Sequence, residues 1–116
     1  MDAQRFFDIA IPELAAQKDA LFSSLHGRLA FIIKDVGQWT VHLGNADIPV
    51  VAEAERDADL VLSFEALAFE EFLAGTLDLQ EAMSKNRIAH DGDLKVLQHF
   101  SRLLQGPSSP LFARTR

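Results

Sequence analysis

The hydrophobic period of this 116-residue chain changes twice, and the two changes divide it into helix, strand and helix again. Up to His26 the apolar residues recur every three or four positions. From Arg28 to Phe64 they recur every two, in short runs separated by polar turns, and from Glu65 onward the three-to-four spacing returns. A chain patterned in this way has to fold as α+β, because each period places its apolar side chains on one face only of its own kind of element. The length fits one domain over residues 1–116, long enough to bury a core without staples.

Within the first 27 residues, Phe6, Phe7, Ile9 and Ala10 suit a short helix. Pro12 disfavours α conformation at Ile11 and fits the first turn of a second helix, so a break is predicted there. Leu14, Leu21, Phe22 and Leu25 form the next apolar stripe, with Lys18 at its edge, and Gly27 ends it. Arg28–Lys34 and Gln38–Leu43 alternate as a hairpin about Asp35-Val36-Gly37. Ile48–Ala54 offers a third strand, in which Pro49 belongs at a start or an edge, and Ala58–Phe64 a fourth; in succession they read as a meander. Glu65–Ala74 turns Leu67, Ala68, Phe69 and Phe72 inward and stops at Gly75. Asp78 and Glu81 have the spacing of a capping box for a short helix ending near Ser84. A fifth strand is placed around Arg87–His90, and Asp93 caps a last helix that buries a wide face. Gly106–Pro110 cannot continue that helix, which leaves 106–116 as a tail or a short docked segment.

Composition removes several function classes. With no cysteine there is no disulfide, thiolate metal site or cysteine nucleophile. A net charge of −6, with 17 acidic and 11 basic residues, argues against nucleic acid as a partner, since phosphate affinity comes from clustered Lys and Arg. The N-terminal residues lack the pattern of a signal peptide, and no apolar run approaches the roughly 18 residues of a membrane span. A soluble, cytoplasmic protein without stable membrane insertion is predicted.

Candidate chemistry is sparse. His26, His42, His90 and His99 form no metal-binding spacing. His42 and His99 read as solvated. His90 shares strand parity with Ile88 and so points wherever Ile88 points, as a satisfied core histidine or as one that meets a ligand. Asp91 and Asp93 are explained by turn and capping roles. No nucleophile elbow or phosphate loop occurs, so neither a catalytic residue nor a cofactor is predicted. What stands out is apolar: nine Phe and no Tyr. Phe64, Phe69, Phe72, Met83, Leu97, Phe100 and Leu104 either line one cavity between sheet and helices or make up a solid core.

The order of elements, together with GQWTVHL in the hairpin, ADLVLSF running into LAGTLDLQEAM, and RIAHDGD, resembles the sterol carrier protein 2 family of non-specific lipid-transfer domains over roughly Gly27–Leu104. Met83 and Ser84 depart from the family's usual Phe and Met, Asn86 replaces a glycine, and His90 replaces an apolar strand residue. Asn86 is a mild change, because Asn tolerates the left-handed conformation. The last four residues lack a peroxisomal signal of the Ser-Lys-Leu type.

The resemblance implies a five-stranded, mostly antiparallel sheet covered on one face by helices, with an apolar tunnel between them. It also implies non-enzymatic binding and carriage of a fatty acid, fatty acyl-CoA, sterol or similar lipid. The seven apolar residues above would form the wall, and His90 or Arg87 would meet the polar end of the ligand. The main alternative is an accessory module that presents a lipophilic intermediate such as a quinone precursor to a biosynthetic enzyme complex; on either reading the protein is a monomer or a homodimer. Glu53, Glu55, Asp57 and Asp59 would then offer an acidic rim to a basic partner. A third possibility is a small enzyme that uses His90 as a base.

Overall fold

The computed structural model of the protein describes residues 2–45 and 47–104, Leu104 through its backbone. The expected tail over 106–116 and the Leu104 side chain lie outside the described residues.

The N-terminal helix runs through the predicted break. Helix α1 (Ala3–Arg5) passes into a π-helical turn over Phe6–Ala10 and then into α2 (Ile11–Gln17). Pro12 has no amide hydrogen to give to the carbonyl of Asp8, and its ring would crowd that carbonyl in a regular helix. The wider turn just ahead of it, in which the Ile11 amide reaches back to the Phe6 carbonyl, accommodates the proline without ending the helix. The same widening explains the burial pattern. Ala3, Phe7, Ile11 and Ala15 form one column and Phe6, Ala10 and Leu14 another, both at a spacing of four, and all seven are buried. Asp2 caps the start, its Oδ1 accepting from the Arg5 amide at 2.9 Å. Helix α3 (Asp19–Ser24) follows and buries Phe22.

Strands β1 (Gly27–Ile33) and β2 (Gly37–Leu43) make the expected hairpin, with Phe31 opposite Trp39. Strand β3 is only Val50–Val51, and β4 (Leu60–Phe64) and β5 (Ile88–Gly92) complete a sheet in the order β3-β2-β1-β4-β5. The predicted meander is therefore wrong in one connection: β4 lies parallel to β1 and not beside β3. The reason lies in residues 52–59. Thr40 projects from the face of β2 opposite Trp39 and Val41, and its hydroxyl donates to the Glu53 carbonyl at 2.7 Å and accepts from the Glu55 amide at 2.9 Å. The chain is peeled away from the edge after Val51 and crosses the outer face of the sheet as a strap before it enters β4.

Helices α4 (Ala66–Ala74), α5 (Leu79–Ser84) and α6 (Lys95–Leu104) cover the inner face. The predicted ends are present: Gly75 at φ 76° closes α4, Asp78 caps α5 through the Glu81 amide, and Asp93 accepts from the Lys95 amide. Asn86 adopts φ 60°, the left-handed conformation it tolerates. Leu67, predicted to turn inward, is 59% exposed, because the buried stripe of α4 runs through Ala68, Phe69 and Leu73 and leaves position 67 on the far side.

Candidate functional site

Aromatic rings fill the space between the sheet and the helices. Phe6, from the π turn, lies at the centre, with ring centroids 5.0 Å from Phe7, 6.0 Å from Phe69, 6.5 Å from Phe72 and 6.3 Å from Phe100. Phe31 joins Phe64 at 6.0 Å and Phe100 at 5.5 Å, and Phe7 stacks on Trp39 at 4.7 Å. Four of the predicted wall residues, Phe64, Phe69, Phe72 and Phe100, thus come together, but against one another and against the N-terminal helix. Leu97 is buried in the same core, and Met83 is half-buried at its margin.

The two residues predicted to meet a polar ligand end are not in that layer. Arg87 donates from Nη1 and Nη2 to the two carboxylate oxygens of Glu71, each at 3.1 Å, and from Nε to Glu65 at 3.4 Å. These hydrogen bonds, those to Glu71 above all, raise the guanidinium pKa above its ordinary value. All three donor nitrogens are committed within the chain. His90 lies opposite Leu62 in the β4–β5 register, which places it on the inner side of the sheet as parity predicts. It is nevertheless exposed, on an edge strand in which only Ile88 is buried.

An open cleft of about 380 Å³ flanks the aromatic layer where three elements meet. Helix α4 contributes Ala66, Phe69, Glu70 and Leu73, an i, i+3, i+4, i+7 stripe along one side. The β1–β2 hairpin contributes Ile33 and Val36, and the start of α1 contributes Ala3 and Asp2. Phe69 is the one predicted site residue in this wall, and it belongs to the cleft and the aromatic layer together. Apart from Phe69, neither the α4 residues of this wall nor the elements that face them were singled out in the sequence. The polar side chains of the cleft are two carboxylates, Asp2 and Glu70, with neither a histidine nor a hydroxyl nucleophile beside them. Such a lining can hold an apolar molecule and supplies no acid-base pair with a nucleophile.

On the outer face, the strap consumes most of the predicted acidic rim. Glu55 accepts from Arg28 Nη1 and pairs with His42 Nε2, both at 2.9 Å. Asp57 pairs with Arg28 at 3.2 Å, and Asp59 accepts from the Arg28 amide at 2.8 Å. The Arg28 hydrogen bond, reinforced by its charge, holds the Asp57 carboxyl below the usual value. Three of the four rim residues thus serve the fold, and His42, read as solvated, is half-buried beneath the strap. His99 is likewise half-buried, 3.4 Å from the His26 carbonyl. Among the described residues no group of three or more His, Cys, Asp or Glu could hold a metal ion.

Residues 10–105 match the sequence profile described as the SCP-2 sterol transfer family. The chain belongs to that family. No curated protein matches it in sequence. Among solved SCP-2 structures, the sterol carrier protein domain 2 of Helicoverpa armigera aligns with a TM-score of 0.68 at 14% identity, over 85% of this chain and 82% of that one. Palmitated SCP2L2 from Aedes aegypti aligns with a TM-score of 0.68 at 16% identity, over 91% and 96%. The ubiquinone synthesis protein UbiJ-SCP2 aligns with a TM-score of 0.60 at 19% identity, over 86% and 83%. At these identities the likeness is one of fold, and the mixed, mostly antiparallel sheet under helices is the SCP-2 fold that the sequence resemblance implies. Among the described residues no helix is long and apolar enough to cross a membrane.

Proposed function

We propose that this SCP-2 protein binds a lipophilic molecule in the cleft between α1, α4 and the hairpin, and carries or presents it without chemical change. The observation that supports this most is the cleft itself, about 380 Å³ of space walled by Ala3, Ile33, Val36, Ala66, Phe69 and Leu73. Each methylene that leaves water for such a wall gains roughly 0.8 kcal/mol. Phe69 links the cleft to the aromatic layer, so a chain longer than the cleft reaches further by displacing rings held by non-directional contacts. An apolar tunnel in this protein is then something the ligand opens. Carriage is favoured over turnover because one of the two polar side chains in the cleft, Asp2, is already used as a helix cap.

Two fold neighbours support the reading by analogy: one is a palmitated protein and another a ubiquinone synthesis protein. The second also supports the alternative, in which the lipophile is an intermediate presented to a biosynthetic enzyme.

The experiment is native mass spectrometry for a co-purifying lipophile, followed by titration with a pyrene-labelled long-chain alcohol. Saturable micromolar binding is expected. Ala66→Trp, which fills the cleft from the half-buried start of α4, should weaken it about tenfold or more, equivalent to about 1.4 kcal/mol, while Ile48→Trp, at an exposed site outside the cleft, should not. Equal affinity in parent and Ala66→Trp protein, with unchanged circular dichroism, would remove the cleft from the account.

A further inference from the structure

The cleft has an electrostatic character that its apolar walls do not reveal. Its charged side chains are Asp2 and Glu70, and no lysine or arginine is among the residues that line it. Lys34, in the hairpin between Ile33 and Val36, is exposed and outside the lining. Arg87, just ahead of β5, is also outside the lining and is held by Glu71 and Glu65. Two helix starts oppose this negative field, each presenting about half a positive charge: α4 at Ala66, with no side-chain cap from Glu65, and α1 at Ala3, capped by Asp2. Two full carboxylate charges outweigh them.

Resting on the lipophile-binding reading above, we propose that Glu70, with Asp2, is the specificity determinant of the cleft. It selects lipophiles whose polar end donates hydrogen bonds and carries no negative charge, such as alcohols, phenols or amines, over fatty-acid anions. A donor headgroup at the mouth satisfies a Glu70 carboxylate that a second carboxylate can only repel. Glu70 is exposed on α4 and is therefore free to act at the mouth without a role in the core.

The test is displacement of the pyrene-labelled alcohol by three ligands with the same chain, dodecanol, dodecylammonium and laurate, below their critical micelle concentrations at neutral pH. Dodecanol and dodecylammonium should displace the probe at concentrations about tenfold or more lower than laurate, a gap of about 1.4 kcal/mol. Added salt should narrow the gap, since the carboxylates are open to screening. Glu70→Gln should shrink it further, and Glu70→Lys should reverse the order so that laurate binds best. Laurate binding as tightly as dodecanol, or an order unmoved by Glu70→Lys in a protein with unchanged circular dichroism, overturns this inference alone. Failure of every ligand and of the probe to bind overturns the cleft reading, and this inference with it.

Discussion

The two faces of the sheet are held by different forces. On the inner face Phe31, Phe64, Trp39 and their neighbours pack against helices through ring contacts, which are strong in sum and indifferent to small rotations. On the outer face the strap over residues 52–59 is tied by directional bonds: Thr40 to Glu53 and Glu55, His42 to Glu55, and Arg28 to Glu55 and Asp57. The contrast separates two tasks. The outer bonds fix the crossover that sets β4 parallel to β1, whereas the inner contacts can be rearranged around a guest without leaving polar groups unpaired. The proposed binding site lies on the inner side for that reason, in the cleft beside Phe69, where there is already room.

This contrast can be broken at its strongest point first. Phe31→Ala removes a fully buried ring that touches Phe7, Phe64, Phe69 and Phe100, and should cost about 3–5 kcal/mol in denaturant unfolding. A loss under 1 kcal/mol would mean that the inner face is not the principal store of stability. Thr40→Val keeps shape but unties the strap at a side chain with no exposed surface, leaving the part-buried Glu55 amide without its acceptor. A loss of about 1–3 kcal/mol is expected, together with faster hydrogen exchange at the Glu55 amide. Exchange unchanged there would show that the strap is fixed by its ion pairs instead.

The smallest effect is expected at Asp57, an exposed carboxylate. Its pKa is lowered in the folded state by the Arg28 hydrogen bond and charge, so its contribution is fully present above the ordinary aspartate value and is lost as pH falls through the depressed one. Parent protein should melt slightly above Asp57→Asn at neutral pH, and the two Tm values should converge as the solution is acidified. A difference that grows towards acid would contradict the sign of this coupling.

The features legible in the sequence were those fixed by neighbours in the chain. The hairpin, the Gly75 stop, the Asp78 and Asp93 caps and the left-handed Asn86 each depend on a few consecutive residues. Placement of β4 depends on Thr40 holding residues thirteen and fifteen positions away, which no local pattern encodes. The π turn was hidden for a similar reason, since Pro12 read as a break when the helix could widen instead. At the site, parity put His90 opposite Leu62 in the sheet, yet parity says nothing of exposure, and on this edge strand burial ends at Ile88. Phe64, Phe72 and Phe100, grouped by their apolar character, meet in the aromatic layer. Ala66 and Leu73 were overlooked because an alanine and a leucine in a helix look the same in sequence whether they face a neighbour or a gap.

Methyl NMR of the protein with bound dodecanol locates directly where a lipophile sits. Intermolecular NOEs from the alkyl chain to the methyl groups of Ala3, Ile33, Ala66 and Leu73 are the predicted result, since these line the cleft. NOEs confined to Met83, Val96 and Leu97, with the cleft methyls silent, would place the ligand against α5 and α6 and contradict it.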